Sequence, residues 1–240
     1  AATCFTAHNV SCGDCGPGCE YCGAPFSSAP QFHLMDQQGC AENDPNGPVY
    51  DPVHGVLHHF YQKHVAAPGG SGPVYGHFAS KDFVRWAPLP VALWNGLDVG
   101  AGGGASSVFV MRAFFIGSAV VVDGAGPGGD GPGVVQIYPG LCDGTAWPGC
   151  STGTLLAQAV PANYAGDALL VNWTKPGYNP IVNGTQRDPT TPWRTASGEW
   201  RLRTFDSMVY GAASSADLLA GRWYTIGNNS DSFVEAECPS

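Results

Sequence analysis

Short apolar and aromatic runs, broken every few residues by Gly, Pro, Asn and Asp, constrain this chain more than any other feature. The runs are Val56–Tyr61, Tyr75–Ala79, Phe114–Val122, Val134–Tyr138, Gly153–Ala159, Trp200–Phe205 and Met208–Ala212. Each is about the length of a strand and rich in the β-branched and aromatic residues that pack well on a pleated surface. No stretch sustains a 3.6-residue period, and only Ser214–Leu219 offers a helical turn. Such a chain folds as antiparallel all-β, and sandwich, barrel and propeller all satisfy the pattern. Composition points the same way: charged residues are 12% of the chain, about half the usual share, against Gly 34 and Pro 20. The glycine-rich stretch Gly124–Gly131 is flanked by valine and aromatic runs and reads as a loop on a folded domain. At 240 residues there is chain enough for one large or two small domains.

A net charge of −9 excludes the basic face that a nucleic-acid binder needs, and suits a neutral ligand such as a sugar. No apolar run approaches the roughly 20 residues that span a bilayer. Cys4, Cys12, Cys15, Cys19 and Cys22 crowd the start of the chain, with Cys40 close behind. Their spacing suits zinc in a reducing compartment or disulfides in an oxidising one. The oxidising reading is favoured by four N-glycosylation sequons, at Asn9, Asn172, Asn183 and Asn228, which place the chain in the secretory pathway. Cys142 and Cys150 bracket a loop that a bridge can close, which leaves Cys238 as the odd thiol. Residues 1–30 are therefore expected to form a cysteine-rich N-terminal extension, and residues 31–240 the β domain. His54, His58, His59 and His64 cluster without a ligand spacing and read as surface or packing residues, so no metal or other cofactor is expected.

Three carboxylates have unusual settings. Asp44 lies in Asn43-Asp44-Pro45-Asn46-Gly47, where the proline holds the aspartate extended and Asn-Gly then turns the chain. Taken alone, the pentapeptide is an ordinary hairpin turn. Asp188 repeats the theme in Arg187-Asp188-Pro189, beside an arginine suited to a carboxylate or to sugar hydroxyls. Glu237 sits in Glu235-Ala236-Glu237-Cys238-Pro239, next to a second carboxylate and an apolar thiol that both raise a carboxyl pKa. Two carboxyl groups about 5–5.5 Å apart are what retaining glycoside hydrolysis requires.

The order of the motifs resembles the invertase and fructanase group, glycoside hydrolase family 32. The matching pieces are Asn43–Gly47, Phe60-Tyr61-Gln62, Tyr75-Gly76-His77, Ser80–Trp86, Phe115–Ala119, Leu169–Lys175, Arg187–Thr191 and Glu237-Cys238-Pro239. They run from about Gln31 to the end of the chain. The resemblance implies a five-bladed β-propeller of antiparallel four-stranded blades. This chain holds its first two blades and the start of the third. It also implies a secreted or vacuolar β-fructofuranosidase releasing fructose from sucrose or a fructan. Asp44 is then the nucleophile, Glu237 the general acid and base, and Asp188 the transition-state stabiliser. Asn43, Gln62, Tyr75, Phe115 and Arg187 are the residues implied to bind substrate. A fructosyltransferase and a non-catalytic glycan-binding or structural descendant are the alternatives.

The chain departs from the family in three places. Ala41-Glu42 stands where the family has Trp-Met, which removes an aromatic wall and sets a charge two residues from Asp44. Tyr75 replaces a tryptophan, and Ile116 replaces a serine whose hydroxyl can bond a sugar. Family members continue through further blades into a β-sandwich, so a longer chain or a second polypeptide is expected to complete the ring.

Overall fold

A computed structural model of the chain describes residues 11–12, 34, 36, 42–67, 70–95, 113–142, 153–185 and 187–228. Within them the fold is all-β, built as three antiparallel sheets in chain order. The first contains β1 (Ser11–Cys12), β2 (Glu42–Pro45), β3 (Val49–Asp51), β4 (Val56–Ala67), β5 (Gly70–Ser80) and β6 (Trp86–Leu93). β3, β2 and β1 follow one another along a single edge of β4, opposite Val56–His58, Tyr61–Lys63 and Val65–Ala66. The sheet is therefore four strands across.

The second sheet repeats this plan. β7 (Ala113–Phe114) and β8 (Ser118–Asp123) share one edge of β9 (Pro132–Cys142). Beyond β9 comes β10 (Gly153–Pro161), whose far edge takes β11 (Trp173–Thr174) and β12 (Val182–Thr185). In the third sheet β13 (Trp193–Arg194), β14 (Trp200–Arg203), β15 (Met208–Ala212) and β16 (Tyr224–Asn228) pair in sequence order. A single turn of helix, α1 (Ser215–Leu219), bridges β15 and β16, with the Ser214 hydroxyl accepting from the Asp217 amide at 3.1 Å. Three successive four-strand sheets of this kind are the blades of a partial propeller.

The apolar runs make these strands because most of them are buried on both faces. Between the first and second sheets Phe60, Tyr75 and Leu93 meet Phe114, Tyr138 and Leu155. Between the second and third, Val120, Val122 and Val135 meet Trp200, Ala212 and Leu218, and Ile137 and Leu156 meet Leu202 and Tyr210. Each such side chain contributes about 1.5–3 kcal/mol when taken fully out of water.

Two runs differ from the sequence reading. Phe114–Val122 is not one strand: it breaks at Phe115-Ile116-Gly117, between β7 and β8. Gly117 sits so close to the hydroxyl of Tyr75 and the carbonyl of Ile137 that a β-carbon there would overlap both. Trp200–Phe205 pairs only as far as Arg203, because Thr204–Ser207 turns the chain, with the Thr204 hydroxyl donating to Asp206 at 2.7 Å. Of the expected cysteine-rich extension, Ser11 and Cys12 lie on β4, and its other cysteines fall outside the described residues.

Candidate active site

Asp44 is carried at the exposed edge of the first sheet by β2. The turn that follows it does more than reverse the chain. Asn46 is fully buried; its amide donates to the Phe60 carbonyl at 2.8 Å in the first sheet, and its Oδ1 accepts from the Gly117 amide at 3.4 Å beside the second. Gly47, at φ 70°, lies against the start of β8, where a β-carbon would overlap the backbone of Ser118 and Ala119. Asn46-Gly47 is thus a wedge between two sheets, and it fixes the strand that bears Asp44.

Gln62 projects from β4 nearby, almost buried, and its amide nitrogen donates to Asp44 Oδ2 at 3.4 Å. Tyr75 lies opposite Gln62 on β5. It has no exposed surface, and its hydroxyl donates to the carbonyl of Phe115 at 3.0 Å. Burial, then the neighbouring Tyr138 hydroxyl and the Asp188 carboxylate, push the Tyr75 pKa well above that of a free phenol, so it keeps its proton.

Asp188 is 2% exposed and has φ 57°, an uncommon conformation for a residue with a side chain. The Arg187 Nε donates to its Oδ2 at 3.2 Å. The guanidinium sits 5.9 Å from the Phe115 ring centroid and 5.5 Å from that of Phe205, within cation–π range of both. Backbone bonds hold the segment on both sides. Phe205 donates to the Arg187 carbonyl at 3.0 Å, Thr190 to the Arg203 carbonyl at 2.8 Å, and the Ser118 hydroxyl to the Thr190 carbonyl at 3.0 Å.

Ser118 is the meeting point. Its backbone faces the turn after Asp44, and its hydroxyl holds the segment after Asp188. The structure thereby pairs Asp44 with Gln62, Tyr75 with Phe115 and Arg187 with both Phe115 and Asp188, while the strand register sets Tyr75 opposite Gln62. Asn43 is exposed beside Asp44 on β2. Of the expected sugar-acceptor asparagines, Asn172, Asn183 and Asn228 are all exposed. Glu237, Asn9, Cys150 and Cys238 lie outside the described residues. Sequence reasoning missed Phe205, and although Asn46 and Ser118 lie inside the matching motifs Asn43–Gly47 and Phe115–Ala119, nothing in the local pattern shows that they meet between the sheets.

Glu42 sits opposite Lys63. Although Glu42 lies at the surface, packing around its carboxyl and the nearby Asp36 push its pKa up to about 7. The charge expected two residues before Asp44 is therefore absent in acid. Asp36 itself is buried, accepting from the Tyr61 hydroxyl at 2.6 Å and the Lys63 ammonium at 2.5 Å. His58 and His77 are buried with Nδ1 and Nε2 2.9 Å apart, and His54 pairs with Asp51 at 2.6 Å. Among the described residues no group of three or more His, Cys, Asp or Glu side chains is arranged to hold a metal ion. A groove of about 350 Å³ lined by Val56, Ser80, Asp82, Trp86 and Leu169 is a separate feature. It opens near the first residue of β4, about 20 Å along the strand from Gln62.

Residues 33–217 match the model of the glycosyl hydrolases family 32 N-terminal domain. The chain is 34% identical over 215 residues to a protein of Oryza sativa subsp. japonica named beta-fructofuranosidase, insoluble isoenzyme 6, covering 82% of this chain and 31% of that protein. It is 32% identical over 178 residues to the beta-fructofuranosidase, insoluble isoenzyme 1, of Daucus carota, covering 71% and 26%. The fold is similar to the crystal structure of fructan 1-exohydrolase IIa from Cichorium intybus, with a TM-score of 0.55 at 23% identity over 78% of this chain and 32% of that one. The chain thus spans between a quarter and a third of the length of these relatives.

Proposed function

The chain belongs to glycoside hydrolase family 32, and from that premise we propose that it carries the fructosyl-binding half of a retaining glycosidase that releases fructose from sucrose or a fructan. The observation that carries the reading is the junction at Ser118, which links the turn following Asp44 to the segment following Asp188. The segments that follow two carboxylates, one on the first sheet and one in the connection between β12 and β13, thereby meet at one residue, and each carboxylate has its own partner, Gln62 for Asp44 and Arg187 for Asp188.

Asp44 attacks the anomeric carbon while Glu237 gives its proton to the departing glycosidic oxygen. The carbon–oxygen bond to the leaving group breaks and an ester to Asp44 forms, through a transition state with oxocarbenium character. Glu237, now ionised, takes a proton from water, which displaces Asp44 and frees fructose. Asp188 holds sugar hydroxyls and meets the developing positive charge. Asn43, Gln62, Phe115 and Arg187 surround the fructosyl unit, with the Arg187 guanidinium held over two rings. Below about pH 7 Glu42 becomes increasingly neutral, so the strand that bears Asp44 loses one of its negative charges. The remaining blades are supplied by a continuation of the chain or by a second polypeptide. The sequons support a secretory route, ending outside the cell or in the vacuole.

The test is fructose release from sucrose and from inulin by the complete protein. Asp44→Asn is expected to lower kcat by about a thousandfold or more, as loss of a nucleophile does. If the unaltered protein leaves both sugars intact while still binding them, the glycan-binding alternative replaces this reading. If it transfers fructose to a second sugar faster than to water, the transferase does.

A further inference from the structure

Tyr75 stands where the family has tryptophan, and the substitution is not a smaller version of the same wall. A tryptophan offers an indole N–H at one edge of a bicyclic ring, whereas tyrosine carries a hydroxyl at the end of a narrower one. Here that hydroxyl reaches under the break between β7 and β8 and donates to the Phe115 carbonyl at 3.0 Å. The ring is locked from the sides: it packs edge-on against Phe114 at 5.7 Å and against Tyr138 at 6.1 Å, and it has no exposed surface. Gly117 completes the seat, since any β-carbon there would overlap the hydroxyl. The Phe115 amide donates to Pro139 at 3.3 Å, so the residue is pinned at both its backbone N–H and its C=O. Pinned in this way, the Phe115 ring lies under the Arg187 guanidinium, and Arg187 in turn bonds Asp188.

We propose that Tyr75 is a positioning residue that sets the fructosyl-binding arginine: its hydroxyl holds the Phe115 carbonyl, Phe115 supports Arg187, and Arg187 fixes Asp188. Tyr75 does not touch the sugar. Its position opposite Gln62, the partner of Asp44, places this support under both carboxylates at once. The inference rests on the preceding assignment of Arg187 and Asp188 to fructose binding, but its structural half can be read without any activity.

Two measurements on the complete protein test it. In the first, 4-fluorophenylalanine at position 115 reports its surroundings by ¹⁹F NMR. Tyr75→Phe, which keeps the ring and removes only the hydroxyl, is expected to shift or broaden that resonance. Arg187→Lys is expected to move it too, because the planar cation over the ring is lost. In the second, Tyr75→Phe is expected to lower kcat/KM for sucrose about five- to tenfold, the worth of one neutral hydrogen bond. In a Phe115→Ala background the same change is expected to have no further effect, because the link to Arg187 is already cut. An unmoved ¹⁹F resonance in Tyr75→Phe overturns the proposal. So do fully additive losses of kcat/KM in the double variant, which mark a merely structural tyrosine. A protein that shows the ¹⁹F response but releases no fructose overturns the functional reading instead and leaves the support intact.

Discussion

Asp51 shows how one side chain can hold two sheets together. It is fully buried on β3, and Tyr164, from the connection after β10, donates to its Oδ1 at 2.5 Å. His54 lies 2.6 Å from Oδ2, and the amide of Val53 donates to Oδ1 at 2.9 Å. Burial alone would raise the pKa of Asp51, but the hydrogen bonds from Tyr164, His54 and the backbone outweigh it and hold the pKa below the usual carboxylate value. Tyr164→Phe is expected to cost about 1–3 kcal/mol in urea unfolding, the worth of a hydrogen bond to a charged group. A depressed folded pKa gives stability that is present above the unfolded value of 3.8 and is lost as pH falls through the folded one. The gap between the two proteins should accordingly close below about pH 3.8. At this scale Asp44 and Asp188 were legible from their places in the ordered set of motifs and not from a following proline alone, since Asp51 precedes one too. The direction of Tyr75 was not legible, since it depends on which carbonyl of the next sheet lies within reach.

At the scale of elements, the strands follow the apolar runs wherever both faces are covered, as in β8, β9 and β10. They depart from them where a neighbour forbids a regular backbone. The break at Gly117 is the clearest case, because its cause sits on β5, some forty residues earlier in the chain. The turn between β2 and β3 is likewise set from outside by β8. Gly47→Ala meets two penalties there: a positive φ, worth about 1–2 kcal/mol in a residue with a side chain, and overlap with backbone that cannot rotate away. A loss of at least about 2 kcal/mol of unfolding free energy is expected from urea denaturation. Fructose release should fall further than stability does, since the same turn carries Asp44.

At the scale of the molecule, two histidines on β4 and β5 add a response to acid at the seam that Asp51 and Tyr164 bridge. His58 and His77 are buried in the first sheet, and burial lowers the His58 pKa to about 4 and that of His77 well below the usual imidazole value, with His58 adding to the effect on its neighbour. Both are depressed from an unfolded value of 6.5, so the unfolded chain takes up protons that the folded one refuses. Stability is held above pH 6.5 and lost as pH falls towards 4. The thermal midpoint should drop over that interval, and His58→Asn with His77→Asn should flatten the drop. The all-β class was legible across the whole chain from its turn-punctuated runs, but the pairing of sheets face to face was not, because it is decided by side chains far apart in sequence. Asn46 shows what that pairing means for the site. Its backbone bonds one sheet and its side chain accepts the Gly117 amide at the next. That amide stays protected from solvent deuterium only while the two sheets are docked. Its exchange rate is therefore a clock for the parting of the seam, separate from the unfolding of either sheet, and it runs beside the carboxylate on which the chemistry depends.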